Sequence, residues 1–357
     1  MRTAFLPLAL LLVWACNSPS VMAQYSMPSE EGPHEGTWLQ WPHNYTYGSG
    51  AEDVEASWVA MTAALTEGER VHIMAYNESE VSIITGQLNA AQIDMAQVDF
   101  YLCPTDDFWA RDNGPCFVQD DQGQWVVLDW GFNGWGGDTP FALDDDVPIV
   151  TAEQLNLPLI DLNAVVLEGG AIEIDGQGTL MATRSSITGD DRNPGWTEAE
   201  IEGYFATYLG VKQVIWLDGQ FGGNEDITDQ HIDGFVKFAS GNTIVTMSNP
   251  DLAYWYVDAQ DRNMIAQVCK GCTPRVLPWA SIVKTCCSGG GMVHCVIQQQ
   301  PAGTTPLSVE GLTPNSLPWD GIEWLDLMGR KVSSLQPGQM YIQRDQNGRT
   351  KKVIGFE

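Results

Sequence analysis

The chain has 357 residues, and 46 Asp or Glu against 17 Lys or Arg give a formal net charge of −29. That balance excludes a nucleic-acid binder, because a phosphate polymer would be repelled where it should be neutralised. It favours cationic small molecules and keeps the surface soluble. With 44% hydrophobic residues the chain can bury a large core.

Met1-Arg2-Thr3 leads into an apolar run from Ala4 to Ala15, too short to span a bilayer as a mature helix, and this reads as a signal peptide. Val21 and Ala23 occupy the two positions a signal peptidase reads, which places cleavage before Gln24 and the leader at 1–23. Acylation at Cys16 is the weaker alternative, because Trp14 is bulky for that recognition site. From residue 24 onward no window reaches membrane-spanning length.

Between residues 35 and 300 amphipathic helical patterns alternate with short apolar runs, which is an α/β pattern. Val54, Trp58, Met61 and Leu65 fall at helical spacing, as do Val81, Ile84 and Leu88. Thr197 with Glu200 forms a capping box ahead of a face of Ile201, Tyr204, Phe205 and Tyr208. Strands are expected at 71–75, 98–102, 125–130, 164–168, 171–174, 179–183, 213–217, 234–238, 243–247 and 292–297. That is too many for a simple doubly wound sheet. No glycine-rich phosphate loop opens a helix, so no nucleotide cofactor is expected.

Eight cysteines stand at 16, 103, 116, 269, 272, 286, 287 and 295, and loss of the leader leaves seven. An odd number leaves one thiol free even if the others pair. Cys269-Lys270-Gly271-Cys272 is followed by vicinal Cys286-Cys287, which lacks the second two-residue gap of a zinc knuckle, so disulfides or buried thiols are expected in place of a metal.

Three segments carry chemistry-bearing residues. Asp106-Asp107-Phe108-Trp109-Ala110-Arg111-Asp112-Asn113-Gly114-Pro115 joins carboxylates, an aromatic plane and a turn, which puts Asp112 at a strand end or in a loop. Trp109 can offer a face to a cation, and Arg111 reads as a structural partner for a carboxylate. In Asp226-Ile227-Thr228-Asp229-Gln230-His231-Ile232-Asp233-Gly234, His231 and Asp233 share one face of an extended segment. The run Gly289-Gly290-Gly291-Met292-Val293-His294-Cys295 ends in a thiol whose neighbour His294 points to the opposite face of a strand, so its acid–base partner must come from elsewhere. Two carboxylates, an imidazole and a thiol suit a guanidinium. Carboxylates hold the planar cation, the thiolate attacks its carbon, and the imidazole protonates the departing ammonia and then activates water. A cysteine peptidase and a noncatalytic guanidinium-binding module are the competing readings.

Taken together, residues 27–301 resemble the agmatine deiminase family of guanidino-group-modifying enzymes with the pentein fold. The resemblance rests on Met27-Pro28, Pro33 to Trp38, Trp41-Pro42-His43-Asn44, Trp109 to Pro115, Asp129-Trp130-Gly131-Phe132-Asn133 with Trp135-Gly136-Gly137, Leu167-Glu168-Gly169-Gly170, His231-Ile232-Asp233, and Gly289 to Cys295 with Gln298-Gln299. It implies an α/β propeller of five ββαβ-like modules about a pseudo-fivefold axis. By the same resemblance Cys295 is the nucleophile, His231 the general acid–base, Asp112 and Asp233 the guanidinium clamps, and Trp109 and Glu168 line the substrate pocket. Some members carry an acidic residue four before the histidine, where this chain has Ile227 with Asp226 beside it, so Asp226 is a third substrate-binding candidate. The implied reaction is agmatine plus water to N-carbamoylputrescine and ammonia, with no cofactor. A secreted peptidylarginine or free-arginine deiminase is the alternative. Nothing in the sequence fixes the assembly, and a homodimer is left open.

From about Thr304 the texture changes to short alternating runs, turn dipeptides and terminal basic residues, which marks 304–357 as a separate small β unit after a 24–303 body. Leu325 to Val332, Leu335 to Ile342 and Asn347 to Ile354 resemble the C-terminal sorting domain of the type nine secretion system of Bacteroidetes. That resemblance implies a partner in the secretion machinery and a secreted or cell-surface location.

Overall fold

A computed structural model describes residues 24–30, 32–49, 54–220, 226–239, 244–254, 257–268, 275–276, 298–301, 323–325, 340–344 and 350–354. The leader at 1–23, Cys269, Cys272, Cys286 and Cys287, and the 289–297 run with Cys295 lie outside the described residues. The chain divides into two compact units, Met1–Pro306 and Leu307–Glu357.

In the first unit the strands are β1 (Tyr25–Ser26), β2 (His34–Gln40), β3 (Arg70–Ala75), β4 (Val98–Leu102), β5 (Cys116–Asp120), β6 (Trp125–Gly131), β7 (Leu159–Val166), β8 (Ile172–Ile174), β9 (Thr179–Thr183), β10 (Gln213–Leu217), β11 (Val236–Phe238), β12 (Ile244–Thr246), β13 (Arg275–Val276) and β14 (Gln298–Pro301). They form four small sheets, ordered β14-β2-β3-β4, β1-β5-β6-β7, β10-β9-β8 and β11-β12-β13. One pattern recurs. Strands β5, β8 and β11 each pair antiparallel with the next strand, which pairs parallel with a third. A parallel pair needs a crossover, and helices Val147–Leu155, Glu198–Tyr204 and Ala259–Val268 supply it. These are ββαβ modules. The sheet holding β2 and β3 closes on β14 from much later in the chain, with Gln298 opposite Trp38.

The helices follow the apolar spacing. Glu55–Leu65 buries Trp58 and Thr62, Glu78–Ala90 buries Ile84 and Leu88, and both pack on the β2–β3–β4 sheet. Both capping-box bonds form between Thr197 and Glu200. The helix they open runs into a wider turn at Phe205–Leu209, and Ile201 and Phe205 are buried against strands of two sheets, among them Leu128, Trp130, Leu180 and Ala182.

The structure corrects several boundaries. The strand expected at 164–168 runs over Leu159–Val166, because β7 is an edge strand whose exposed Asp161 and Asn163 break the apolar pattern used to find it. The 234–238 strand begins only at Val236, after a single 3-10 turn over Ile232–Gly234. Strands β2 and β5 were not expected, since polar and turn-forming residues dilute their apolar content. In the second unit β15 (Glu323–Leu325), β16 (Met340–Arg344) and β17 (Thr350–Ile354) make one antiparallel sheet in that order.

Candidate active site

Three connections between sheets carry the chemistry. Asp112 lies between β4 and β5 in a one-turn helix, Ala110–Asn113, Glu168 to Gly170 lie between β7 and β8, and His231 and Asp233 lie between β10 and β11. The approach to Asp112 is fixed by a buried loop in which Asp144 Oδ1 accepts from the amides of Asp106 and Asp107 at 2.8 and 3.2 Å, while Asp106 Oδ2 accepts from Leu143 N at 2.9 Å. Arg111 is buried and pairs with Glu30 and with Gln299 Oε1, the structural role expected of it.

The three connections meet at two glycines. A Cβ at Gly169 would stand 2.0 Å from Arg111 O, and one at Gly170 would stand 2.6 Å from both Asp112 Oδ1 and His231 Nδ1 and 3.1 Å from Asp233 Oδ2. The glycines therefore let backbone press onto the Asp112 helix, and Gly170 N donates to Asp112 Oδ1 at 3.0 Å. Asp112, His231, Asp233 and Glu168 are all buried. His231 Nδ1 lies 3.5 Å from Asp112 Oδ1, and Nε2 lies 3.2 Å from Glu168 Oε2. The expected extended geometry of His231 and Asp233 does not occur; the 3-10 turn at Ile232–Gly234 brings them together in its place.

Burial pushes the Asp112 carboxyl up to about 6, partly offset by His231. Burial works against a charged His231, but Asp112, Glu168 and Asp233 outweigh it and raise the imidazole to about 9. Near neutral pH the site therefore holds an imidazolium among carboxylates. Cys103 and Cys116 are free thiols that burial pushes up to about 12, so neither suits nucleophilic chemistry.

Trp109 is half-buried, edge-on to Trp135 with ring centroids 6.4 Å apart. Asp226 is exposed, and its carboxylate accepts from Thr228 N, Thr228 Oγ1 and Gln230 N; it is not among the side chains nearest Gly170. Sequence reasoning gave no site role to two residues that matter here. Trp135 Nε1 donates to Asp112 Oδ2 at 3.0 Å from a turn in which Gly134, Trp135 and Gly136 all have positive φ, and the Asn133-Gly134-Trp135-Gly136-Gly137 run was its legible signal. Arg192, wholly buried, donates from Nε to Glu168 Oε1 at 2.6 Å, and no local pattern marked it. Cys295 stands three residues before Gln298, and Gln298 Nε2 donates to Pro115 O at 3.0 Å.

The description of the Porphyromonas-type peptidyl-arginine deiminase family matches residues 26–269. The chain belongs to this family. Among curated relatives, the agmatine deiminase of Pseudomonas aeruginosa strain LESB58 is 33% identical over 251 residues, covering 68% of this chain and 63% of the relative. That of Pseudomonas syringae pv. tomato is 32% identical over 246 residues, covering 67% and 62%. The chain thus spans less than two thirds of the length of the curated relatives it matches. The Enterococcus faecalis agmatine deiminase structure superposes with a TM-score of 0.61 at 21% identity, covering 78% of this chain and 96% of that one. The C. jejuni agmatine deiminase with substrate bound gives 0.60 at 19% identity, covering 77% and 96%. At such identities the likeness is one of fold, and the family member described here has the pentein fold.

Gly170→Ala is expected to weaken binding of a small alkylguanidinium ion at least tenfold while the chain stays folded, since a displaced Asp112 loses its geometry; calorimetric titration checks it, and unchanged affinity would contradict the packing. Binding should also weaken as pH falls through about 6, where Asp112 takes up a proton and loses its charge. Equal affinity at pH 5 and pH 7.5 in the folded protein would sink that assignment.

Proposed function

We propose that the protein is a guanidine-hydrolysing deiminase, a hydrolase acting on a C–N bond of a linear amidine. The observation that carries this reading is the convergence of Asp112, His231 and Asp233 on Gly170, with Glu168 on the far nitrogen of the imidazole. Buried carboxylates on a single surface suit a planar cation. The family and the agmatine deiminases of the two Pseudomonas relatives support the same chemistry.

In the proposed mechanism Asp112 and Asp233 hold two nitrogens of the guanidinium and orient its carbon toward Cys295. The thiolate forms an S–C bond, the C–NH2 bond breaks, and His231 gives its proton to the leaving ammonia, producing a thiouronium. His231, now neutral, takes a proton from water as the water oxygen adds to the same carbon. The S–C bond then breaks as the added hydroxyl gives its remaining proton to solvent, releasing a neutral ureido product and the thiolate. An imidazole raised to about 9 starts this cycle in its acid form. For agmatine the products are N-carbamoylputrescine and ammonia. The family description supports a second reading, arginine within a peptide, in which the product is citrulline.

The full chain incubated with agmatine, free arginine and a peptide ending in arginine should release ammonia from one of them, and Cys295→Ala should lower kcat on the order of 10^4-fold. Ammonia release retained in Cys295→Ala would refute the thiol mechanism, and cleavage of the peptide bond would favour a cysteine peptidase. The leader at 1–23 and the tail support export to the cell surface or beyond. Expressed in a bacterium that secretes through the type nine system, the extracellular protein should begin at Gln24; retention of Met1 in the cytoplasm would argue against export.

A further inference from the structure

Arg192 has no exposed side-chain surface, and each of its polar groups is engaged in the ground around the candidate site. Nε donates to Glu168 Oε1 at 2.6 Å, and Nη2 donates to the carbonyl of Ile227 at 3.0 Å. Nη1 reaches Asp191 Oδ2 at 2.8 Å and Asp229 Oδ2 at 3.3 Å. A Cβ at Gly136 would stand 2.9 Å from Nη1, so the turn carrying Trp135 lies directly on the guanidinium. Three separate pieces of the site therefore rest on one side chain.

The segment from Ile227 to His231 needs such support. Asp229 and Gln230 both have left-handed φ, +52° and +63°, a conformation that costs non-glycine residues energy. Ser185 Oγ donates to Asp229 O at 2.6 Å and Thr183 Oγ1 to Gln230 O at 2.8 Å, while Arg192 holds the outer side through Ile227 O and Asp229. Glu168 has no exposed surface either, and a buried carboxylate keeps its charge only when it is paired.

We propose that Arg192 is a positioning residue that couples Glu168 to the strained Ile227–Gln230 loop, holding the Glu168 side chain against His231 Nε2 while fixing the backbone that presents His231 to the substrate. This rests on the reading of His231 as the general acid–base. Three carboxylates face His231, namely Asp112, Glu168 and Asp233, and of these Glu168 is the one that Arg192 contacts. Without the bond from Arg192, Glu168 is no longer held against His231 Nε2, which removes one source of His231 basicity. A lysine at 192 restores the charge but not the simultaneous bonds to Glu168, Ile227 O and Asp229.

The test compares the full chain with its Arg192→Gln and Arg192→Lys variants by steady-state ammonia release and by NMR titration of labelled histidine. Arg192→Gln is expected to lower kcat at least tenfold with KM changed less than threefold, and to move the His231 titration down by about one unit or more. Arg192→Lys is expected to recover the titration and only part of kcat. A folded Gln variant with wild-type titration and wild-type kcat overturns the proposal, as does a loss of activity that merely follows the loss of folded protein while the His231 titration stays put. Should the Gln variant not fold, a Lys variant with full kcat overturns it. If the wild-type chain releases no ammonia from any guanidine compound, the reading of its activity fails, and the His231 titrations still decide the coupling.

Discussion

Two glycines decide how close three distant pieces of chain can come. A side chain at 169 or 170 would collide with the backbone of Arg111 or with the polar atoms of Asp112 and His231. Because it is absent, residues 112, 170 and 231 share one small volume, and the Gly170 amide donates directly to the Asp112 carboxylate. The ββαβ arrangement makes this convergence available, since each contributing segment connects one sheet to the next.

Close approach of carboxylates has an electrostatic cost. Burial pushes the Asp112 carboxyl up, and the neighbouring Asp233 and Glu168 add to that effect. His231 and Arg192 supply counter-charges from within, and Arg192 also meets Asp191 and Asp229. The buried Arg192–Glu168 pair has a further consequence: removing one partner of such a pair costs about 3–5 kcal/mol, so the ion pair supports the fold at the same point where it orients the site.

Much of the site was legible in the sequence because its residues lie in short, chemically unusual strings. Trp109 to Pro115 combines an aromatic, a charge pair and a turn, and His231-Ile232-Asp233 lies in a strongly acidic stretch. The helices around Trp58, Ile84 and Ile201 were legible through apolar spacing and, at Thr197, through a cap. Elements with mixed patterns were not. Strands β2 and β5 and the first half of β7 pair through backbone bonds that any residue can make, and the registers of β2 and β7 come from partners far away in the chain.

The sequence by itself determined the residue types of the chemistry and their order, because a carboxylate, an imidazole or a thiol is a property of the side chain alone. It also determined the acidic charge and the alternation of helix and strand. Only the tertiary structure decided which carboxylate faces which nitrogen of His231, that a 3-10 turn and not a strand brings His231 and Asp233 together, and that Asp226 is bonded within its own loop. It alone brought in Arg192, 24 residues after Glu168, and set the indole of Trp135, 23 residues after Asp112, against that carboxylate. The physical reason is that a hydrogen bond across such a separation depends on where the backbone is carried by packing, and a local pattern holds no record of that distance.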